Sequence, residues 1–109
     1  MNKEVKINLQ AKIGNMEREI INWAKARKLD NPDNKFQQLA KVMEELGELS
    51  SAILKKDITE SIDSLGDTYV TLVILAHQMG YSLEDCAKRA FKVIEYRKGK
   101  TINGTFIKE

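Results

Sequence analysis

Three glutamates lie inside one otherwise apolar helical segment, residues 41–54, which reads KVMEELGELSSAIL. Glu45 and Glu48 are three positions apart and so share one helix face, and Glu44 precedes them. Carboxylates at the edge of a core repel one another and lose hydration unless a positive charge compensates. The segment therefore predicts either a divalent-cation site or a solvated acidic shoulder. Beside the acids, the apolar residues repeat at helical spacing and predict a buried stripe of Val42, Leu46, Leu49 and Ile53.

A second acidic segment, residues 60–76, reads ESIDSLGDTYVTLVILA. Asp63 and Asp67 are four positions apart and share a row with the apolar Val70 and Ile74. Acids that project inward from facing helices build metal sites in helix bundles, and oxygen ligands favour a hard cation such as Mg²⁺. The alternative is that acids near a helix start favour the helix dipole. That alternative accounts well for Glu60, one turn earlier, and partly for Asp63. It does not account for Asp67, about two turns into the helix.

Length and composition predict a single all-α domain over residues 1–109, with a helical core of about 7–98 and a tail of 99–109. The net charge of +2 argues against a general nucleic-acid binder. The single cysteine, Cys86, excludes an intramolecular disulfide and fits a reducing compartment. There is no apolar run of transmembrane length and no signal peptide, so we expect a cytoplasmic protein without a membrane partner.

Helical periodicity and breakers predict four main helices, over about 7–28, 35–55, 58–79 and 83–98. A capping box, Ser82 with Asp85, begins the fourth helix. Asn103-Gly104, between two short β-prone runs, predicts a two-residue hairpin in the tail. The second half of the third helix is apolar nearly all round, which predicts a homodimer or homotetramer. The fourth helix should bury one apolar face, formed by Ala87, Ala90, Phe91 and Ile94.

The remaining candidate residues each have a structural and a functional interpretation. Trp23 fits a core or interface position, or it stacks on a nucleobase. Arg97, Lys98 and Lys100 form a basic cluster that either complements the end of the fourth helix or binds substrate phosphates. Lys41 lies one turn before Glu45, and we expect it to pair with the acids rather than reach a phosphate.

Together these features resemble the MazG-like nucleotide pyrophosphohydrolases, within the wider all-α NTP pyrophosphohydrolase group. The resemblance covers about residues 20–108, and the tail is similar to that of short, stand-alone, phage-type members. The residues that carry it are EELGE at 44–48, LGD at 65–67 and RKGKTINGTFIKE at 97–109.

The resemblance implies a Mg²⁺-dependent enzyme, with Mn²⁺ as a possible substitute. Such an enzyme cleaves the α–β bond of a nucleoside triphosphate to give the monophosphate and pyrophosphate, in nucleotide-pool cleansing or control. A non-catalytic oligomerisation module and a nucleotide sensor with a degenerate metal site are the alternatives.

The family pattern, EExxE followed by ExxD, assigns roles by position. Glu45 and Glu48 match the ExxE ligands, and Asp67 matches the Asp of ExxD. Glu44 or Glu45 would orient or deprotonate the attacking water. Ser64 departs from the pattern, because it stands where the motif has its Glu. Asp63 is the natural substitute, although Glu60 and Asp63 also form a literal ExxD.

Overall fold

Four α-helices and a two-stranded hairpin make up the part of the chain that the computed structural model describes, residues 16–109. Helix α1 covers 16–26, and the predicted start of this helix, over 7–15, lies outside the described residues. A 3₁₀ turn over Pro32–Asn34 follows, then α2 (Lys35–Leu54), α3 (Ile58–Gln78) and α4 (Leu83–Ile94). Strands β1 (Gly99–Ile102) and β2 (Thr105–Lys108) end the chain. No helix among these residues is long and apolar enough to cross a membrane.

Local side-chain caps set most helix starts. The Asp57 carboxylate accepts the backbone N–H of Glu60 (3.0 Å) and so caps α3. The Ser82 hydroxyl accepts the N–H of Asp85 (3.4 Å), which confirms the predicted cap of α4. Gly80, at φ +85°, lets the chain leave α3.

Helix α4 ends at Ile94, about one turn earlier than predicted. The hairpin explains the difference, because its hydrogen bonds extend from the strands to the N–H of Glu109, which donates to the carbonyl of Lys98 (3.0 Å). Strand pairing and helix cannot share a residue's backbone geometry, so α4 must stop before this point.

The predicted hairpin is confirmed. Strands β1 and β2 pair antiparallel, with Ile102 opposite Thr105 across the two-residue turn. Asn103 (φ 51°) and Gly104 (φ 80°) both have positive φ, as the favoured hairpin turn requires.

Helices α2 and α3 form an extensive helix pair, and α1 packs across the second half of α3. The apolar core lies between α1 and α3 and contains Ile20, Ala24, Val73 and Ile74, with Leu83 against it. The packing of α3 therefore places the core at its C-terminal half, away from its acidic N-terminal half.

The predicted buried stripe of α2 is wrong at two of its four positions. Val42 is buried and Leu49 half-buried, but Leu46 and Ile53 are exposed in the single chain. The face of α2 that meets α3 is instead centred on Val42, Glu45 and Ala52. The buried residues of α3 include three that are small and polar, Ser64, Thr68 and Thr71, so burial in this helix pair does not require large apolar side chains.

The expected inward row of α3 is also only partly right. Ile74 is buried and Val70 half-buried, but Asp63 and Asp67 are exposed. The apolar face predicted for α4 is uncovered throughout, and α4 has no buried residue. Its residues remain exposed because α4 packs on α3 near its own N-terminus, where Leu83 lies, and not along its length.

Candidate metal and phosphate site

The EELGE segment begins with a lysine that pairs with two of its acids. Lys41 Nζ lies 3.5 Å from Glu44 Oε2 and 3.5 Å from Glu45 Oε1, which confirms the predicted pairing. The carboxylate of Glu44, followed by that of Glu45, raises the pKa of Lys41 above its ordinary value. Because Lys41 and Glu44 are both exposed, this ion pair is worth little by itself. Its main effect is to keep the Lys41 ammonium group beside the carboxylates of the EELGE segment.

Glu45 is the acid that the fold buries. Only 7% of the residue is exposed, because helical spacing places it between Val42 and Ala52 on the side of α2 that faces α3. One oxygen meets Lys41, whereas Oε2 is fully buried and has no hydrogen-bond partner within the described residues. Leaving a buried carboxylate oxygen unpaired costs free energy, since charged groups are the most costly to desolvate. This oxygen has the character of a metal ligand, because a cation would provide the missing partner.

Glu48, one turn further, completes an acidic pair with Glu45. The neighbouring carboxylate of Glu45 is the main cause that raises the pKa of Glu48 above its ordinary value. Burial and Glu44 raise the pKa of Glu48 further, while Lys41 opposes them. Two carboxylates this close disfavour simultaneous ionisation, and a divalent cation bound between them would remove the conflict.

On α3, three polar residues are buried: Ser64, Thr68 and Thr71. The Thr68 hydroxyl donates to the carbonyl of Ser64, and the Thr71 hydroxyl to the carbonyl of Thr68, both at 2.8 Å. Gln38 on α2 donates across the interface to the carbonyl of Thr71 (3.1 Å). Ser64, which stands where the pattern described above has its Glu, is only 1% exposed.

The remaining predicted ligands lie in two different grooves. Asp63 and Asp67 line a cleft of about 550 Å³ between α3 and α1. Glu60 instead shares a groove of about 300 Å³ with Glu48, at the end where α2 meets α3. Within residues 16–109, no three acids, histidines or cysteines come close enough together to hold a metal ion. The structure therefore unites Glu45 with Glu48, and Glu48 with Glu60, but does not assemble all four ligands.

Trp23 borders the Asp63–Asp67 cleft. It lines a small pocket with Ile20 and Val70, two residues that also line that cleft. The indole is about half exposed, so it is not a core residue in the single chain. The guanidinium of Arg27 covers one side of the ring, 4.1 Å from its centroid.

The basic cluster lies apart from the acids. Arg97 and Lys98 follow α4, and Lys100 lies on β1, all exposed. In the described part of the chain, no ion pair joins any of these bases to an acid of α2 or α3.

Sequence reasoning did not identify Glu17, which has a definite structural role. It is 7% exposed, and its carboxylate accepts the backbone N–H groups of Leu83 (2.6 Å) and Glu84 (3.3 Å). Glu17 therefore caps α4 from α1, across a separation of 66 residues that no local motif reveals. Its charge also reaches Tyr69, whose pKa is raised above 10.0 by burial first and then by Glu17 and Glu84.

Comparison with known families matches residues 9–91 to the model described as phosphoribosyl-ATP pyrophosphohydrolase. An uncharacterized 18.2 kDa protein of the rep-hol intergenic region of Haemophilus phage HP1 (strain HP1c1) is 41% identical to the chain over 71 residues. That stretch is 65% of this chain and 41% of the phage protein, so the chain spans less than half of that relative. No solved structure matches the chain. The family match includes both acidic helices and ends before the basic cluster and the hairpin.

Proposed function

The chain belongs to the phosphoribosyl-ATP pyrophosphohydrolase family, an all-α nucleotide pyrophosphohydrolase type, and from this premise we propose its reaction. The chain hydrolyses the α–β phosphoanhydride bond of a nucleoside triphosphate, releasing a nucleoside monophosphate and pyrophosphate with Mg²⁺ as cofactor. Within the family it acts as a short MazG-like, phage-type member in nucleotide-pool cleansing or control. We assign it to the cytoplasm as a homodimer or homotetramer.

The main support for this proposal is the electrostatic repulsion between the carboxylates of Glu45 and Glu48. A buried carboxylate oxygen without a partner, beside a second acid of raised pKa, is an arrangement that a divalent cation relieves. Both acids belong to EELGE, and their oxygens are the ligands that Mg²⁺ prefers. Asp67 and Asp63 are the further ligands that the resemblance implies, and they would have to approach Glu45 and Glu48 from the α1–α3 cleft that they line here. Glu60 is the alternative on the Glu48 side.

The roles of the protein groups follow from their chemistry. When bound, Mg²⁺ supplies neutralisation of phosphate charge and lowers the pKa of a coordinated water. Glu44 or Glu45 orients the attacking water and accepts its proton. Arg97, Lys98 and Lys100 bind phosphate oxygens, with Lys41 contributing positive charge beside the acids. Trp23 offers one face of its ring to the base.

A product assay tests the reaction. The purified protein is incubated with each common NTP and dNTP, and with phosphoribosyl-ATP, in Mg²⁺, Mn²⁺ or chelator, and the nucleotide products are resolved. We expect monophosphate and pyrophosphate in amounts that fall to background on chelation. Diphosphate with orthophosphate would mean that the wrong bond was assigned.

Two conservative substitutions test the site. We expect Glu45→Gln and Asp67→Asn to lower kcat by at least about 100-fold while far-ultraviolet circular dichroism is unchanged, since each removes a ligand charge but keeps its shape. Asp33→Asn, an exposed acid of the 3₁₀ turn, is the matched control and should retain activity. Full activity in either site variant would refute the ligand assignment.

The departure at Ser64 supports one other candidate function, a nucleotide sensor with a degenerate metal site. Ser64 supplies no carboxylate where the family pattern has one. Wild-type protein that gains thermal stability from Mg²⁺ and nucleotide but releases no product would favour this candidate over the enzyme.

A further inference from the structure

The indole of Trp23 lies between a base and an acid of its own helix. Arg27 is one turn after Trp23 on α1 and Glu19 is one turn before it, so the three side chains share one row. The Arg27 guanidinium lies 4.1 Å from the centroid of the ring, and its Nη1 also donates to the carbonyl of Trp23 (3.1 Å). Arg27 therefore covers the indole on one side, and the side toward Glu19 remains for a ligand.

A small pocket of about 300 Å³ lies on that side of the ring. It is lined by Glu19, Ile20, Trp23 and Val70. Three of these side chains are apolar or aromatic, and Glu19 adds the charge. Ligand sites usually measure ~300–1,000 Å³, so this pocket suits one planar ring system rather than a whole nucleotide. An aromatic ring with apolar neighbours is the surface on which nucleobases stack. We call this site the Trp23 pocket.

The Trp23 pocket opens onto the cleft that holds two of the predicted metal ligands. Ile20 and Val70 line both the pocket and the cleft of Asp63 and Asp67. A nucleotide with its base in the pocket would therefore extend its sugar and phosphates into the cleft. This assignment of the phosphates rests on the function proposed above, whereas the fit of the base depends on the pocket alone.

Glu19 is the acid of α1 that is available to a ligand. Glu17 already accepts the backbone N–H groups of Leu83 and Glu84, and it is buried. Glu19 is exposed, and no ion pair within residues 16–109 involves it. An ionised carboxylate can only accept hydrogen bonds, and its two oxygens lie side by side. It therefore favours a base edge that presents two donors next to each other.

Guanine is the common base with such an edge. Its ring N1–H and its exocyclic amino group are adjacent donors that match the two oxygens of a carboxylate. Adenine and cytosine present one amino group beside a ring nitrogen that accepts. Uracil and thymine present one N–H between two carbonyl groups, and a carboxylate repels these acceptors. Because the pocket offers acceptors at its rim, it discriminates among bases in this order.

We propose that the Trp23 pocket binds the guanine base of the nucleotide substrate, with the base stacked on the indole and Glu19 accepting both of its donors. Glu19 is then a residue that determines specificity and takes no part in the hydrolysis itself. A site built to hydrogen-bond a group rejects the analogue that lacks it. Hypoxanthine, which is guanine without the amino group, loses one of the two bonds and binds less tightly.

Tryptophan fluorescence tests the pocket independently of activity. Trp23 is the only tryptophan in the chain, so its emission reports this site alone. The wild-type protein is titrated with GMP, IMP and UMP in chelator, which removes the contribution of a metal. We expect saturable quenching by GMP, with a Kd at least about 10-fold lower than that of IMP and lower still than that of UMP.

The substitution Glu19→Gln assigns the selectivity to one side chain. The glutamine keeps the size of the glutamate but turns an amide donor toward the donors of guanine. We expect the ratio of the Kd values for IMP and GMP to fall to about 1, while circular dichroism is unchanged. Asp33→Asn removes an exposed acid outside the pocket and should keep the wild-type ratio. Equal Kd values for the three nucleotides, an unchanged ratio in Glu19→Gln, or no quenching by any of them would overturn the proposal.

Kinetics separate this proposal from the proposed reaction. With GTP as substrate, we expect Glu19→Gln to raise KM by about 10-fold and to leave kcat within about two-fold, since the base contact is the same in the ground state and the transition state. If the wild type releases no product from any nucleotide but GMP quenches selectively, the proposed reaction fails and the guanine site stands. Equal turnover of all nucleotides without selective quenching would refute the guanine site and leave the reaction.

Discussion

At the scale of single residues, the unfavourable electrostatic free energy of the folded chain lies at the carboxylates of Glu45 and Glu48. Packing of α2 against α3 takes the Glu45 carboxylate out of water, and only one of its oxygens meets a positive charge. The carboxylate of Glu45 in turn raises the pKa of the neighbouring Glu48. Without a cation, this pair destabilises the folded state at neutral pH. The acids are therefore better explained by ligand binding than by stability.

The pKa shift of Glu48 leads to a pH-dependent prediction. Its folded-state pKa lies above the ordinary value of 4.5, so the folded chain binds this proton more tightly than the unfolded chain. The contribution of Glu48 to stability is favourable at low pH and is lost as the pH rises through the raised pKa. We expect Glu48→Gln to raise the melting temperature at pH 7 in chelator and to have little effect at pH 4. Thermal melts at both pH values measure this, with the exposed Glu19→Gln as control. An equal gain at both pH values would contradict the prediction.

Ser64 provides a second prediction at this scale. We expect Ser64→Glu to lower the free energy of unfolding by at least about 3 kcal/mol in chelator, because it forces a charge into a filled interface. Mg²⁺ should then stabilise this variant more than the wild type, since the new carboxylate restores the family pattern. Urea denaturation with and without Mg²⁺ gives both quantities. Ser64→Ala is the control for loss of the hydroxyl, and an unchanged Mg²⁺ effect in Ser64→Glu would argue against a metal site at this interface.

At the scale of elements, the α2–α3 pair and α4 are held in different ways. Helices α2 and α3 share a long interface, and Glu45 of α2 and the small polar residues of α3 are buried. Helix α4 is fixed chiefly at its first turn, by Leu83 in the core and by the Glu17 carboxylate. The same carboxylate complements the positive end of the helix dipole. The orientation of the C-terminal part therefore depends on this first turn, where a buried acid of α1 caps α4.

A substitution of Glu17 therefore tests how much this cap of α4 contributes to the stability of the folded chain. We expect Glu17→Ala to lower the free energy of unfolding by about 2–3 kcal/mol, because two charge-assisted hydrogen bonds are lost and two backbone donors remain. The exposed Glu19→Ala, on the same helix, should stay within about 0.5 kcal/mol of wild type. Urea midpoints measure both, and the loss of the negative charge should also lower the pKa of Tyr69 in an absorbance titration. Equal midpoints for the two variants would show that the cap contributes nothing.

At the scale of the whole molecule, a single copy leaves apolar side chains of α4, of the hairpin and of a groove between α2 and α3 uncovered. Association would make the melting temperature depend on protein concentration by mass action. We expect Phe91→Asp to remove this dependence, since Phe91 lies on the uncovered face of α4. Tyr96→Asp, at a side chain that is 85% exposed beyond α4, is the matched control and should keep it. Melts over a 100-fold concentration range, with light scattering, provide the measurement. A wild-type melting temperature that does not vary with concentration would contradict self-association.

Local signals in the amino-acid sequence were sufficient for much of the fold and for part of the site. Caps and breakers act over a few residues, so the bounds of α2 and α3, the Ser82 cap and the Asn103-Gly104 turn could all be predicted. The i, i+3 and i, i+4 spacings were also sufficient to place Lys41, Glu45 and Glu48 together. These features depend on backbone geometry that the chain adopts over one or two helical turns.

The tertiary structure decided which side of each helix faces its neighbour. Periodicity alone favoured the larger apolar side chains of α2 for the core, but the structure buries Glu45 and leaves Leu46 exposed. It also decided that Asp63 and Asp67 face α1, that Glu17 caps α4, and that the basic cluster lies apart from the acids. Each of these depends on contacts between segments far apart in the chain, where shape and charge at the point of contact, rather than local spacing, set the lowest free energy.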